Sequence, residues 1–148
     1  MIQDIDHAAI SVPDLRAAID FYCETLGFVL ESEAGWSKGS STIDQLVGLA
    51  DSASKVAMVR LGGSRLEIFQ YEAPEPRLQD EAFRVCDHGF THICLSVVGI
   101  EGEYARLTKA GVVFNAEPVD VGGSVCLYGH DPFGNAFELR ERKLTADG

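Results

Sequence analysis

Basic residues are scarce in this chain of 148 residues, which has 12 lysines and arginines against 23 aspartates and glutamates. The formal net charge of -11 argues against broad binding to nucleic acid or to an anionic membrane, since both present dense negative charge. A small anionic substrate stays compatible with this composition, because one metal ion or one arginine sets the local sign of the charge.

Long apolar runs and processing signals are also missing. No apolar stretch approaches the roughly 18 residues of a membrane-spanning helix, and Met1 is not followed by the charged start and apolar run of a secretion signal. The cysteines lack the paired spacing of a metal site; they are Cys23, Cys86, Cys94 and Cys126. We therefore expect a cytoplasmic protein with reduced thiols.

What the chain does contain is an internal repeat. The stretch "IDHAAISV" around His7 aligns with the stretch "FTHICLSV" around His92. A helical pattern follows each stretch, and a glycine ends it, Gly27 lying 20 residues after His7 and Gly111 lying 19 residues after His92. This self-similarity indicates two copies of one module.

Strand-like runs follow the helix of each copy. They are "FVLES", "KVAMVRL" and "RLEIFQY" in the first copy, and "VVFN", "SVCLYG" and "AFELRE" in the second. The order strand-helix-strand-strand-strand thus occurs twice, over residues 5–73 and 90–140, which predicts an α+β fold of two tandem βαβββ modules within one domain, 1–148. A loop from Pro74 to about His88 joins the copies, and the tail after Arg140 is predicted to fray.

The first copy is longer than the second. His7 to Glu67 spans 60 residues, whereas His92 to Glu138 spans 46, so the first copy has 14 extra residues. We place them in Gly35–Ser54, a polar, glycine-rich segment with a short helical turn. This segment is either a lid or binding loop or a solvated insertion, and the sequence leaves both interpretations open.

Strand geometry places one histidine and one glutamate of each copy on a common face. Because side chains alternate along a strand, His7 and His92 face away from the helix while their apolar neighbours face it. Glu67 and Glu138 lie between apolar residues in "LEI" and "FEL" and face the same way. A carboxylate on the inner face of a sheet needs a partner, because desolvation disfavours its charge. The four side chains therefore predict a nitrogen-oxygen site for one divalent metal ion: Zn, Ni, Co, Mn or Fe.

The other histidines are weaker candidates. His88 and His92 have the spacing of a helical metal-binding pair, but Gly89 and the alternation after it favour a strand, in which four residues span about 13 Å. His130 lies in "GHDPFGN", which predicts a role in a turn. Five further side chains either line a substrate cavity or belong to the core: Trp36, Met58, Phe69, Tyr71 and Tyr128.

At these residues the chain resembles the vicinal oxygen chelate superfamily, which includes glyoxalase I, methylmalonyl-CoA epimerase, extradiol dioxygenases and fosfomycin-resistance proteins. The resemblance covers about Ile5 to Arg140 and rests on "DHAAISVPDL", "FYCETLGF", "LEIFQY", "THICLSV" and "DPFGNAFEL". It implies the glyoxalase/bleomycin resistance/dioxygenase fold, in which paired modules curve into an open cup around the metal. Carried over by position, the implied metal ligands are His7, Glu67, His92 and Glu138.

The four-ligand set is similar to that of the glyoxalase and epimerase branch, because some dioxygenase relatives have no ligand at the position of Glu67. The segment "EIFQYEAPEP" resembles the corresponding segment of methylmalonyl-CoA epimerases more than the glutathione-binding segment of many glyoxalases. The resemblance implies an isomerase, epimerase or lyase that moves a proton next to a carbonyl of a small substrate with neighbouring oxygens, with Glu67 or Glu138 as the base. The alternatives are an Fe(II) extradiol-type dioxygenase and a drug-binding resistance protein of the same fold.

A homodimer with two sites is also predicted. Open curved sheets leave edges and an exposed cup that a second copy can cover. Members of the superfamily often pair this way and build their sites either within one chain or between chains. The sequence does not choose between these arrangements.

Overall fold

The computed structural model describes residues 1–77 and 84–143. The chain divides into two compact units, residues 1–78 and 79–148. The middle of the predicted connecting loop, residues 78–83, and the end of the predicted frayed tail, residues 144–148, lie outside the described residues. Among the residues that are described, no helix is long and apolar enough to cross a membrane.

The first unit is one mixed sheet with helices between its strands. Its four strands lie in the order β1-β4-β3-β2, with β1 parallel to β4 and the other neighbours antiparallel. The helix α1 continues as a π-helical turn, and α2 lies in the extra segment, where a short helical turn was predicted. The elements are β1 (Ala8–Ser11), α1 (Leu15–Asp20), the π-helical turn (Phe21–Thr25), β2 (Val29–Trp36), α2 (Ser41–Val47), β3 (Ala53–Leu61) and β4 (Ser64–Ala73).

The second unit repeats this plan in shorter form. Its strands lie in the order β5-β9-β8-β6, and β7 also pairs with β8. The elements are β5 (Ile93–Ser96), α3 (Ile100–Lys109), β6 (Val113–Phe114), β7 (Val119–Asp120), β8 (Ser124–His130) and β9 (Ala136–Arg142). The predicted α+β fold with two repeated modules is confirmed. The strand β7 was not predicted, because two residues are too few to show an alternating pattern.

Two predictions about the minor histidines were wrong in detail. The chain around His88 forms turns rather than a strand, and β5 begins only after His92. His130 is the last residue of β8, and the turn that follows depends on Asp131 instead. The carboxylate of Asp131 is buried and accepts hydrogen bonds from the backbone N–H groups of Phe133 and Asn135, both through Oδ1.

The helices α1 and α3 each cover one face of their own sheet. The helix α1 packs on β3 and β4, and α3 packs on β9. On this face Leu66, Ile68, Phe137 and Leu139 are at most 2% exposed. Burying one side chain of this kind contributes roughly 1.5–3 kcal/mol, so this apolar layer fixes which residues of β4 and β9 face the helix and leaves the intervening residues on the opposite face.

A polar side chain near the end of each long strand binds the start of the helix. Gln70 Oε1 accepts a hydrogen bond of 2.8 Å from the first backbone N–H of α1. The carboxylate of Glu141 accepts bonds of 2.6 and 3.0 Å from two backbone N–H groups at the start of α3. Each residue comes three positions after the glutamate of its copy, Glu67 or Glu138. The strand that carries the glutamate therefore also satisfies donors that a helix N-terminus leaves unpaired.

Candidate functional site

His7 and Glu67 face each other in the first unit. His7 directly precedes β1, and Glu67 lies in β4 opposite Ala9 of the parallel ladder. Their Nε2 and Oε2 atoms are 3.2 Å apart, and the two side chains are 36% and 23% exposed. The parallel pairing of β1 with β4 therefore brings together two predicted site residues that are 60 positions apart in the chain.

His92 and Glu138 form the equivalent pair in the second unit. His92 directly precedes β5, and Glu138 lies in β9 opposite Cys94 of the parallel ladder. The distance from Nε2 to Oε2 is 3.4 Å, and the glutamate side chain is 14% exposed. Both copies of the module thus build the same pair from the residue before the first strand and from an equivalent position of the last strand.

The residue before each histidine contacts the other ring nitrogen. Asp6 Oδ1 lies 2.8 Å from His7 Nδ1, and Thr91 Oγ1 lies 2.9 Å from His92 Nδ1. The hydrogen bond to Asp6 raises the pKa of His7, and the charge of Glu67 adds to this effect. A charged carboxylate only accepts hydrogen bonds, so Asp6 keeps the proton on Nδ1 and, in the neutral ring, leaves the lone pair on Nε2. Such a partner is the usual outer contact of a metal-binding histidine. Sequence reasoning missed it, although the dipeptide "DH" was a visible signal.

The spacing of each pair suits a shared metal ion. Two ligand atoms that each lie about 2.1 Å from one ion, at tetrahedral or octahedral angles, are about 3.0–3.4 Å apart. The observed distances of 3.2 and 3.4 Å match this range. Within either unit, the described residues hold no group of three or more histidines, cysteines or carboxylates arranged for a metal. Each unit therefore supplies one pair of candidate ligands.

Two neutral donors flank Glu138 in the second sheet. Tyr128 lies opposite Glu138 on β8, with its hydroxyl 3.4 Å from His92 Nε2 and its ring 4.9 Å from the imidazole. Burial raises the pKa of Tyr128, and the charge of Glu138 adds to the shift. Burial, followed by a hydrogen bond to Glu138, raises the pKa of Cys94 to about 11. Both groups therefore keep their protons at neutral pH and act as hydrogen-bond donors.

Three aromatic rings form a wall beside Glu67 on the same face of the first sheet. Phe69 and Tyr71 lie two and four residues after Glu67 in β4 and stack at 5.6 Å. Trp36, at the end of β2, contacts them edge-on at centroid distances of 6.2 and 5.8 Å. Burial raises the pKa of Tyr71, with a further contribution from the charge of Glu67. We call these three residues the aromatic wall; each is only partly buried, and none belongs to the layer under the helix.

Comparisons with known proteins extend over almost the whole chain. The family model described as Glyoxalase/Bleomycin resistance protein/Dioxygenase superfamily matches residues 4–139. A 2-epi-5-epi-valiolone epimerase of Actinomyces sp is 30% identical in a match that covers 91% of this chain and 77% of the relative. The human mitochondrial methylmalonyl-CoA epimerase is 25% identical over 118 residues, and the match covers 80% of this chain but only 60% of that protein.

Solved structures show the same architecture. A glyoxalase family protein from Bacillus cereus superimposes with a TM-score of 0.86 at 26% identity, covering 96% of this chain and 95% of that protein. The trypanothione-dependent glyoxalase I of Leishmania major superimposes with a TM-score of 0.68 at 21% identity, covering 95% and 87% of the two chains. The similarity to the Leishmania major protein, at 21% identity, concerns the fold alone.

Proposed function

We propose that this chain, which belongs to the Glyoxalase/Bleomycin resistance protein/Dioxygenase superfamily, is a metal-dependent epimerase that moves a proton at a carbon next to a carbonyl group. The relatives named as epimerases support this reaction class. The observation that carries the proposal is the pairing of one histidine with one glutamate in each unit, at 3.2 and 3.4 Å. A small-molecule substrate with neighbouring oxygens fits this chemistry.

Members of this superfamily commonly use a divalent metal ion. The residues that would hold it here are His7, Glu67, His92 and Glu138, which offer two neutral nitrogen donors and two carboxylates. This donor set balances a divalent charge and suits Zn, Ni, Co, Mn or Fe. When bound, the metal acts as a Lewis acid that polarises the substrate carbonyl.

The two glutamates supply the bases for an epimerisation. An epimerase removes a proton from one face of a carbon and returns a proton to the opposite face, so it needs two groups. One carboxylate, Glu67 or Glu138, takes the proton while the C–H electron pair moves toward the carbonyl. The other glutamate, once it leaves the metal and takes up a proton, returns that proton to the opposite face of the carbon. The hydroxyl of Tyr128 donates a hydrogen bond to a substrate oxygen, and the aromatic wall keeps water away from the side of Glu67.

Solvent deuterium exchange tests this reaction directly. The apoprotein is loaded separately with Zn, Co, Ni, Mn and Fe(II), and each form is offered methylmalonyl-type thioesters, 2-oxo thioesters, hemithioacetals and catechols in D2O. We expect deuterium to enter the carbon next to a carbonyl with several metals and without oxygen uptake. Glu67→Gln and Glu138→Gln should each slow epimerisation by about 10²–10⁴-fold, because each removes one base.

The control variant for this experiment is Glu72→Gln. Glu72 lies on the same strand as Glu67 but binds Lys55 at 2.8 Å, so its loss should leave exchange unchanged. Metal content is measured for every variant, so that loss of a base is separated from loss of the ion. Oxygen consumption with Fe(II) alone, coupled to cleavage of a catechol ring, would instead favour the dioxygenase alternative. Binding of ligands without exchange under any metal would favour a binding protein.

A further inference from the structure

A hydrogen-bonded relay connects the extra segment of the first unit to the aromatic wall. Asp44, in α2, accepts hydrogen bonds through Oδ1 from the backbone N–H and the hydroxyl of Ser52, at 2.8 and 2.6 Å. Its Oδ2 accepts a bond of 2.9 Å from the N–H of Asp51. The oxygen of Ser52, which is fully buried, in turn accepts a bond of 2.9 Å from Trp36 Nε1–H.

Asp44 is a charged anchor for this relay. The hydrogen bonds from Ser52, hydroxyl first and backbone second, hold the pKa of Asp44 below its ordinary value. Hydrogen bonds to a charged carboxylate are shorter and stronger than those between neutral groups. The helix α2 is therefore fastened to the end of β2, rather than lying as a free excursion in solvent.

The relay ends on the residue that completes the wall. In the strand ladders Trp36 lies opposite Ser54, which lies opposite Tyr71. Edge-on aromatic contacts depend on the angle between the rings. The Nε1–H bond to Ser52 fixes the rotation of the indole of Trp36, and with it the angle that the indole presents to Phe69 and Tyr71.

We propose that Asp44 and Ser52 are positioning residues that hold Trp36 in the aromatic wall, and that this wall selects substrates whose carbon skeleton is a ring. The inference rests on the proposed function, because it takes Glu67 as a reacting group. The wall begins two residues after Glu67, so a substrate with its neighbouring oxygens at Glu67 lays its remaining carbons against the three rings. A cyclic skeleton offers a flat face to these rings and has fewer rotatable bonds to immobilise than an open chain.

Trp36 is the single tryptophan of the chain, so its fluorescence reports ligand binding at the aromatic wall without any catalytic reaction. The probes are 2-hydroxycyclohexanone and 4-hydroxyhexan-3-one, which carry the same neighbouring oxygens and the same six carbons on a ring and on an open chain. We expect the cyclic probe to change the emission of Trp36 in the zinc-loaded protein and to bind about tenfold more tightly than the open-chain probe. Saturation-transfer NMR gives both affinities in variants that lack the fluorophore.

The relay is tested by Ser52→Ala. We expect this variant to weaken binding of the cyclic probe about tenfold, with the open-chain probe changed by less than about twofold. Asp44→Asn keeps an oxygen acceptor for Ser52 and should retain part of the preference. The matched control is Leu46→Gln, since Leu46 lies on the same helix and is 78% exposed. It should leave both affinities unchanged.

A double-variant test shows whether Ser52 acts through Trp36. Trp36→Phe keeps an aromatic ring but has no N–H for Ser52, so adding Ser52→Ala to it should cause no further loss of ring preference. The proposal is overturned if the two substitutions cause additive losses of ring preference. It is also overturned if Ser52→Ala keeps a native circular dichroism spectrum but weakens the binding of both probes equally. Absence of deuterium exchange with every substrate, while the ring preference in binding persists, would count against the proposed reaction alone.

Discussion

At the scale of single residues, the two pairs differ in what surrounds them. His7 has a carboxylate, Asp6, on its Nδ1 atom, whereas His92 has the hydroxyl of Thr91, which both donates and accepts. Asp6 therefore selects one tautomer of His7, whereas Thr91 accommodates either tautomer of His92. The two histidine-glutamate pairs are thus alike, but different neighbouring side chains orient their histidines.

Removing either histidine should remove bound metal. His7→Ala or His92→Ala deletes one nitrogen ligand of the proposed centre, and we expect metal affinity to fall at least about tenfold. Elemental analysis after purification without chelators gives the stoichiometry, which should be near one metal per site in the unchanged protein. His88→Ala is the control, because His88 is exposed and belongs to neither pair. Unchanged stoichiometry and affinity in both test variants would show that the assignment is wrong.

At the scale of elements, each module ties the start of its helix to the strand that carries its glutamate. Gln70 makes this contact with a neutral amide and Glu141 with a carboxylate. Hydrogen bonds from the backbone N–H groups of Ile100 and Gly99 lower the pKa of Glu141. The two contacts are equivalent in position, but only the second one changes with pH.

The pH dependence of stability should reveal this difference. Because the folded pKa of Glu141 lies below the unfolded value of about 4.3, its stabilising effect is present above that pH and is lost as pH falls through the folded pKa. We expect Glu141→Ala to lower the unfolding temperature by a few degrees at pH 7, and this difference from the unchanged protein to shrink as the pH falls through the folded pKa of Glu141. For Gln70→Ala, the difference in unfolding temperature from the unchanged protein should stay constant with pH. Thermal unfolding followed by circular dichroism measures both, and a pH-independent difference for Glu141→Ala would contradict the assignment.

At the scale of the whole molecule, the first sheet leaves a long edge strand open. In β2 only Trp36 is partly buried, and Val29 is 54% exposed. Such an edge invites pairing or covering by another chain. We predict a homodimer, which for a chain of 16.0 kDa means a mass of about 32 kDa by light scattering. Detection of monomer alone at micromolar concentration would contradict this prediction.

The two histidine variants also distinguish the two arrangements that the sequence left open. Deuterium exchange is measured for His7→Ala, for His92→Ala and for their mixture. Recovery of exchange in the mixture would mean that the two pairs of one centre come from different copies of the chain. Absence of recovery, in mixtures shown to contain mixed dimers, would mean that one copy supplies both pairs.

The sequence by itself determined the repeat, the α+β class and the face on which each glutamate lies. These features depend on local geometry: the alternation of Leu66, Glu67 and Ile68 has the period of a strand wherever that strand pairs. The positions of both glutamates in their strands, and of both histidines next to the strand starts, could be predicted for the same reason. The short strand β7 was beyond this reasoning, because two residues carry no period, and its pairing with β8 alone makes it a strand.

Only the tertiary structure decided what supports each site residue. Trp36 and Ser52 are 16 positions apart, and Asp44 meets Ser52 only because α2 folds back against the end of β2. No periodicity connects such residues, since the path of an irregular segment depends on which buried polar groups find partners. The extra segment could therefore be located from the chain length between His7 and Glu67, but its contact with the aromatic wall depended on hydrogen bonds that exist only after the chain has folded.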